Sequence, residues 1–211
     1  MPNSTENIQQ FILLPAFYLP PISYFFSLLH TDNVLINDQE LYEKQSYRNR
    51  CEIYSANGKI QLSIPLDTGR NAVRKLKMKE VKISFGNDWK KNHLSSIKSA
   101  YGRAPYFEYY ADDIFSVIRV HQTHLFDFNC SIINVLQKIT GKKADLVMGN
   151  EFDVSKNWIK QEQQKLIFKE YYQSFSGKYG FISNLSILDL IFHKGPDAKN
   201  YLLNRITKDL L

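Results

Sequence analysis

An α/β fold is predicted, opening on a strand–helix–strand unit, interrupted by a β-hairpin and closing in a mainly helical C-terminal part. Three observations predict it. Phe11 to Ala16 and Val34 to Ile36 are short continuous apolar runs, the pattern of strands buried on both faces. Between them Tyr24, Phe25, Leu28 and Leu29 recur at helical spacing behind Pro21, whose missing N–H costs nothing at a first helical position. Further on, Asn57-Gly58 stands between Cys51–Ser55 and Ile60–Pro65, a strong hairpin signal.

The first strand is thus residues 11–16, the turn 17–20, the first helix 21–30 and the second strand 34–36, with the two strands parallel. Val81 to Phe85 alternates apolar and polar residues and reads as another strand. Asn87 or Asp88 can cap a helix that runs to about Ala100 and stops at Gly102. Pro105 opens a further helix with Phe107, Ala111, Ile114, Phe115 and Ile118 on one side. Another spans Leu125 to Ile139 and ends at Gly141. Asp145 to Met148 reads as a last strand, and residues 151–181 as a polar stretch containing a helix and little chemistry. Leu185, Leu188, Ile191 and Phe192 share a helix that Gly195-Pro196 breaks, before a final helix with Tyr201 and Leu202. One domain over residues 1–211 is expected, its site-bearing part within 1–140 and its mainly helical part in 141–211.

The 211 residues carry a net charge of +6, which suits a small anionic partner. Arg70, Arg74, Lys75, Lys77 and Lys79 are separated by aliphatic residues without aromatic interleaving, so nucleic-acid binding has net charge alone behind it. Cys51 and Cys130 form no C-x-x-C pair, and reduced, buried thiols in a cytoplasmic protein are expected. The polar start lacks the layout of a signal peptide, and no apolar run approaches the roughly 20 residues of a membrane span.

Three segments could carry chemistry. In Tyr18-Leu-Pro-Pro-Ile-Ser-Tyr24, the turn after a first strand exposes backbone N–H groups where α/β folds bind anions, and Tyr24 is a candidate substrate contact. In Tyr42-x-Lys44-Gln-Ser46-Tyr-Arg48-Asn49-Arg50, an arginine fork suits phosphate or carboxylate and an amide suits sugar hydroxyls. In extended chain Arg48 and Arg50 share one face and Asn49 takes the other. Lys44, Ser46, Asn49 and Arg50 are the binding candidates, with Arg48 ranked below them as a solvated side chain. In Trp89-x-x-x-His93-x-x-x-x-Lys98-x-x-Tyr101-Gly-x-x-Pro-Tyr106, Lys98 shares a face with Leu94, Ile97 and Tyr101, where partial burial lowers an ammonium's pKa. Lys98, Tyr101 and His93 are the catalytic candidates and Tyr106 a further contact. A lone His on an apolar face more often packs than reacts, and His121 and His124 read as surface or helix-end residues. No metal site is implied, and any cofactor is left open.

The layout of the first segment is similar to the nucleotidylyltransferase superfamily, a Rossmann-like start in which His-x-Gly-His occupies the turn. Here Pro21, Ile22, Ser23 and Tyr24 stand in those places, with Asp32 before the second strand, so nucleotidyl transfer through those histidines does not carry over. The three segments together resemble the WbqC-like family. Tyr18-x-Pro-Pro-x-x-Tyr-Phe, Asp38 with Tyr42-x-Lys-Gln-Ser-Tyr-Arg-Asn-Arg, Ile64-Pro65, Ile97-Lys-Ser-Ala-Tyr-Gly-x-x-Pro-Tyr-Phe-Glu and Asn184-Leu-Ser-Ile-Leu-Asp-Leu-Ile-Phe carry the likeness. That family often has Trp and Gly where this chain has Pro21 and Ser23. The resemblance implies a role in bacterial surface polysaccharide of the O-antigen type, as a transferase of glycine or another aminoacyl group to a sugar or nucleotide-linked sugar. A non-catalytic protein that binds an anionic metabolite or a partner enzyme is the other reading. The expected partner is a small anionic or nucleotide-linked sugar, with neither nucleic acid nor membrane, and self-association into a homo-oligomer is left open. Everything depends on the three segments facing one hollow.

Overall fold

The computed structural model describes residues 12–31, 34–67, 73–142, 147–148, 166–204 and 206–208. Strand β1 (Ile12–Pro15), helix α1 (Ile22–Leu29) and strand β2 (Val34–Asn37) form the expected unit, β1 and β2 pairing in parallel from Ile12–Val34 to Pro15–Asn37. Val34, Leu35 and Ile36 are all buried, as a strand covered on both faces requires. Helix α1 is buried from Ile22 through Leu28, so its sequence is apolar nearly all round rather than striped. Ser27 sits in that interior by bonding back to the Ser23 carbonyl at 3.1 Å.

Strands β3 (Arg50–Ser55) and β4 (Gly58–Ser63) make the hairpin, with Ser55 opposite Gly58. Ala56 and Asn57 keep negative φ and only Gly58, at +86°, enters the left-handed region. The loop is therefore a type I turn closed by glycine, not the type I′ turn that Asn-Gly at the centre would give. β5 (Val147–Met148) adds to β2 in parallel, giving the sheet order β1-β2-β5. The rest of the expected strand at 145–148 lies outside the described residues, as do residues 151–165.

Helices α2 (Trp89–Tyr101), α3 (Phe107–Arg119) and α4 (Leu125–Thr140) follow the expected positions, and Gly141 closes α4 with φ 71°. Asp88 occupies the N-cap of α2 without a side-chain capping bond. The expected strand at Val81–Phe85 is a correction: the segment makes only isolated bridges, Ile83 to Leu66 and Lys82 to His124. Val81 and Ile83 are buried and Lys82 exposed, so the alternation reports burial. Its neighbours are two passing loops that each offer a residue or two, and no ladder can extend.

Downstream come β6 (Leu166–Phe168), the short α5 (Ser176–Tyr179), α6 (Ile187–Lys194), a 3₁₀ turn at Gly195–Asp197, α7 (Ala198–Asn204) and β7 (Ile206–Lys208). The helix break at Gly195-Pro196 is where the sequence places it. β6 pairs antiparallel with β7, a pairing the sequence reading missed. Helices α2, α6 and α7 press on β3 and α1, enclosing a core rich in rings, among them Tyr18, Tyr24, Tyr54, Tyr101, Phe126, Phe128 and Phe192. No helix of the described residues is long and apolar enough to cross a membrane.

Candidate functional site

Chain leaving the carboxyl ends of β1 and β2 runs through Ala16–Pro20 and Asp38–Glu40, the place where α/β sheets commonly hold ligands. Asn129 of α4, fully buried, ties this end together by donating from Nδ2 to the carbonyls of Ala16 at 2.8 Å and Arg48 at 2.7 Å. The Phe17 ring lies 5.6 Å from Tyr24 and 5.6 Å from Tyr47, with the Arg48 guanidinium 5.8 Å above it. Arg48 grips Glu40 with two prongs, Nη2 to Oε2 at 2.6 Å and Nε to Oε1 at 3.0 Å, and reaches Glu43 at 3.2 Å. Burial raises the Glu40 carboxyl above its ordinary pKa, and Arg48 pulls against that rise.

Residues 44–49 are turns and bends rather than extended chain, and Gln45 has φ 56°. The expected alternation of faces along Arg48, Asn49 and Arg50 therefore does not apply, because β3 begins only at Arg50. Arg48 is buried and ion-paired, not solvated. Asn49 is a clamp: its Oδ1 accepts from the Tyr42 hydroxyl at 2.8 Å and its Nδ2 donates to the Ile64 carbonyl at 2.9 Å. Burial raises the Tyr42 phenol while Arg50 and then Arg48 lower it, so both guanidinium groups stand near that ring. Ser46 closes a local turn through Oγ to the Glu43 carbonyl at 2.6 Å, and Lys44 is half-buried beside it.

Buried polar atoms in proteins nearly always have partners. Here the Tyr24 hydroxyl, Ser23 Oγ, Asp38 Oδ1, Asn129 Oδ1 and Arg50 Nε are buried without one. Tyr24 and Asp38 both stand within electrostatic reach of Cys130, which follows Asn129 on α4. Burial raises the Tyr24 phenol well above its usual range, and Cys130 and Glu40 add to the rise. Burial likewise pushes the Cys130 thiol up to about 12, with contributions from Asp127 and Asp38. Hydroxyl, amide oxygen, carboxylate and guanidinium offer both donors and acceptors, the equipment for a polyhydroxylated or anionic small molecule.

The three catalytic candidates do not meet in one hollow. His93 is buried behind Tyr18, its Nδ1 2.8 Å from the Tyr18 hydroxyl, and burial lowers its imidazole to about 4. Tyr101 is buried under β3, where its oxygen accepts from the Tyr54 amide at 3.1 Å. Lys98, expected to be partly buried, is exposed. It lines an outer groove of about 870 Å³ between α2 and α3, with Lys90, Lys91, Glu108, Asp112 and Arg119. Tyr106 packs its ring on Gly195 and donates its amide to the Phe192 carbonyl at 3.0 Å. His121 is exposed against Phe85 and His124 holds the N-cap position of α4. Among the described residues no three His, Cys, Asp or Glu side chains converge as metal ligands.

A sequence model of the WbqC-like protein family matches residues 16–178. The chain belongs to that family. It is similar to the Uncharacterized protein Rv1507c of Mycobacterium tuberculosis (strain ATCC 25618 / H37Rv), 24% identical over 219 residues that cover 88% of this chain and 94% of the relative. No solved structure matches it.

This WbqC-like chain also carries a polar cluster that the sequence reading missed, partly inside the stretch 151–181 expected to hold little chemistry. Asp189 of α6 is fully buried, its Oδ2 accepting from the Tyr171 hydroxyl at 2.5 Å and from Gln173 Nε2 at 2.8 Å. Burial raises its pKa, and His193, Tyr171, Gln173 and Tyr101 draw it back. Gln173 also brackets residue 182, donating to the Ile182 carbonyl at 2.9 Å and accepting its amide at 3.0 Å. His193 Nδ1 lies 2.7 Å from the Asp189 carbonyl. The one sequence signal available was Asp189-x-x-x-His193, a helical i,i+4 pair.

Proposed function

We propose that this WbqC-like protein is a transferase of bacterial surface polysaccharide assembly that takes a small anionic or nucleotide-linked sugar at the carboxyl ends of β1 and β2. The observation that carries the reading is the set of buried, unpartnered polar atoms there: Tyr24 hydroxyl, Asp38 Oδ1, Asn129 Oδ1 and Arg50 Nε. A sugar hydroxyl donates to Asp38 and Asn129, while Arg50 holds a phosphate or carboxylate oxygen with Lys44 and Ser46 at its flank. Tyr24 donates to the charge that develops at the reacting oxygen. The group transferred is an aminoacyl group such as glycine, in line with what the family resemblance implies, and the βαβ start plays the part that it plays in Rossmann-like folds. His93 reaches this end through Tyr18, and its neutral imidazole positions the Tyr18 hydroxyl rather than taking up a proton itself. Tyr101 and Lys98, set apart from it, serve the β3 contact and the outer groove. The substrate class places the protein in the cytoplasm, where nucleotide-linked precursors are made.

Incubation with UDP-sugars, amino acids and ATP, followed by mass spectrometry, tests this. A sugar product heavier by one aminoacyl group is expected. Saturable binding with no product would give the site to a non-catalytic binding protein, and neither binding nor product would remove it.

A further inference from the structure

We propose that Ser174 is a catalytic nucleophile and His193 its general base, forming a second site that stands independently of the one at the carboxyl ends of β1 and β2. Ser174 Oγ lies 2.9 Å from His193 Nε2, within direct proton-transfer reach. The tautomer follows from the partners. The Ser174 backbone N–H points at Nε2 from 3.0 Å, so Nε2 presents a lone pair. The ring proton is then on Nδ1 and is donated to the Asp189 carbonyl at 2.7 Å. The Ser174 amide and hydroxyl share that one lone pair in a three-centre contact, and of the two donors the hydroxyl is the one that can give up its proton.

The surroundings suit the imidazolium that would form. Asp189 Oδ1 stands 3.6 Å from Nδ1, and His193 occupies the last turn of α6, where the helix dipole favours positive charge. Tyr171 and Gln173 hold the other carboxylate oxygen, so Asp189 is fixed by groups outside its own helix. The rings of Tyr101 and Tyr172 stand edge-on to His193 at centroid distances of 5.8 Å and 5.8 Å, preventing the imidazole from turning away. The arrangement is a Ser–His dyad rather than a full triad: a backbone carbonyl orients the imidazole, and the Asp189 carboxylate, 3.6 Å from Nδ1, contributes only its charge. Ser174 is half-buried, two residues from Tyr172, which is 66% exposed.

The substrate class is an activated acyl ester or thioester. Ser174 Oγ bonds to the acyl carbon as its proton passes to His193 Nε2. The bond from that carbon to the leaving oxygen or sulfur breaks, and the leaving group takes the proton from Nε2. Water, or an acceptor hydroxyl or amine, then gives a proton to Nε2, takes the acyl group and returns Ser174 to its hydroxyl form.

A fluorophosphonate probe on the full chain, with the adduct located by peptide mass spectrometry, tests the assignment without knowledge of the natural substrate. An adduct on Ser174 is expected, absent in S174A and formed at least about 100-fold more slowly in H193Q. No adduct on natively folded protein, an adduct that survives S174A, or an unchanged rate in H193Q would overturn it. Should H193Q fail to fold, the wild-type labelling rate in heavy water decides: a slowed rate supports transfer of the hydroxyl proton during attack and an unchanged rate refutes it. The carboxyl-end site is untouched by S174A, so loss of labelling there with sugar transfer intact separates the two proposals.

Discussion

The Tyr18 hydroxyl and Nδ1 of His93 stand 2.8 Å apart, joining the strand–helix turn to α2 in the interior. Burial lowers the imidazole to about 4, against about 6.5 in an unfolded chain. As pH falls below about 6.5 the unfolded chain binds a proton that the folded chain refuses until about 4, so stability is full above that window and is lost on descending through it. The loss is about 2–3 kcal/mol. Urea unfolding of wild type and H93Q at pH 7 and about pH 4.5 measures it, and wild type should lose more on acidification by that amount. Glu40 and Asp189, raised by burial, contribute the opposite slope, but they are common to both proteins and cancel in the difference.

Buried Arg48 and half-buried Glu40 make a two-pronged pair, and removing one partner strands the other. R48M should destabilise the fold by about 3–5 kcal/mol, and R48K, which keeps the charge but loses the fork, by less. Denaturant midpoints check both. Restoration of most of the loss in R48M/E40L would show that the cost lies in the abandoned carboxylate.

Local signals made the βαβ start, the hairpin and helices α2 to α4 legible, since their periods and breakers lie within one element. Pairings between distant segments were not. β6 meets β7 with Leu166 opposite Lys208, and nothing within either short run names the other. Arg48 was misjudged for the same reason, its burial being set by Glu40 and the Phe17 ring. Lys98 was misplaced by helix phase. The buried stripe of α2 is Trp89, His93, Ile97, Ala100 and Tyr101, and Lys98 stands about 100° around from Ile97. The residues of the first two motifs were legible as a polar set, but which atoms are tied up, as in Asn49, and which are open, as in Tyr24, depends on contacts no spacing encodes.

Gly195 joins α6 to the following turn with φ 53°, and a Cβ there would lie 2.4 Å from the Tyr106 ring. G195A should cost about 2 kcal/mol or more, from a rigid ring that must move and from left-handed backbone. Thermal unfolding measures it. In a Y106A background the clash is gone, and the same substitution should cost only the backbone part, about 1 kcal/mol.

Tyr24 separates a ligand contact from a packing residue most cleanly. Its ring is fully buried and held by Phe17 and Phe25, while its hydroxyl has no partner. Had the hydroxyl a structural task, Y24F would lose about 1 kcal/mol or more, as when a buried hydrogen bond is broken. With none, removing an unsatisfied buried group should leave the melting temperature unchanged or raise it, because the ring and its contacts remain. If the hydroxyl donates to substrate in the transition state, the same variant should lower kcat/KM by roughly 10- to 100-fold, a further 1.4 to 2.7 kcal/mol on the barrier at about 1.36 kcal/mol per decade. Calorimetry of the free protein and product formation by mass spectrometry read the two effects separately. A variant with unchanged melting and unchanged turnover would free Tyr24 of any role in transfer, whereas unchanged melting with lost turnover is the signature of a group kept open for a ligand.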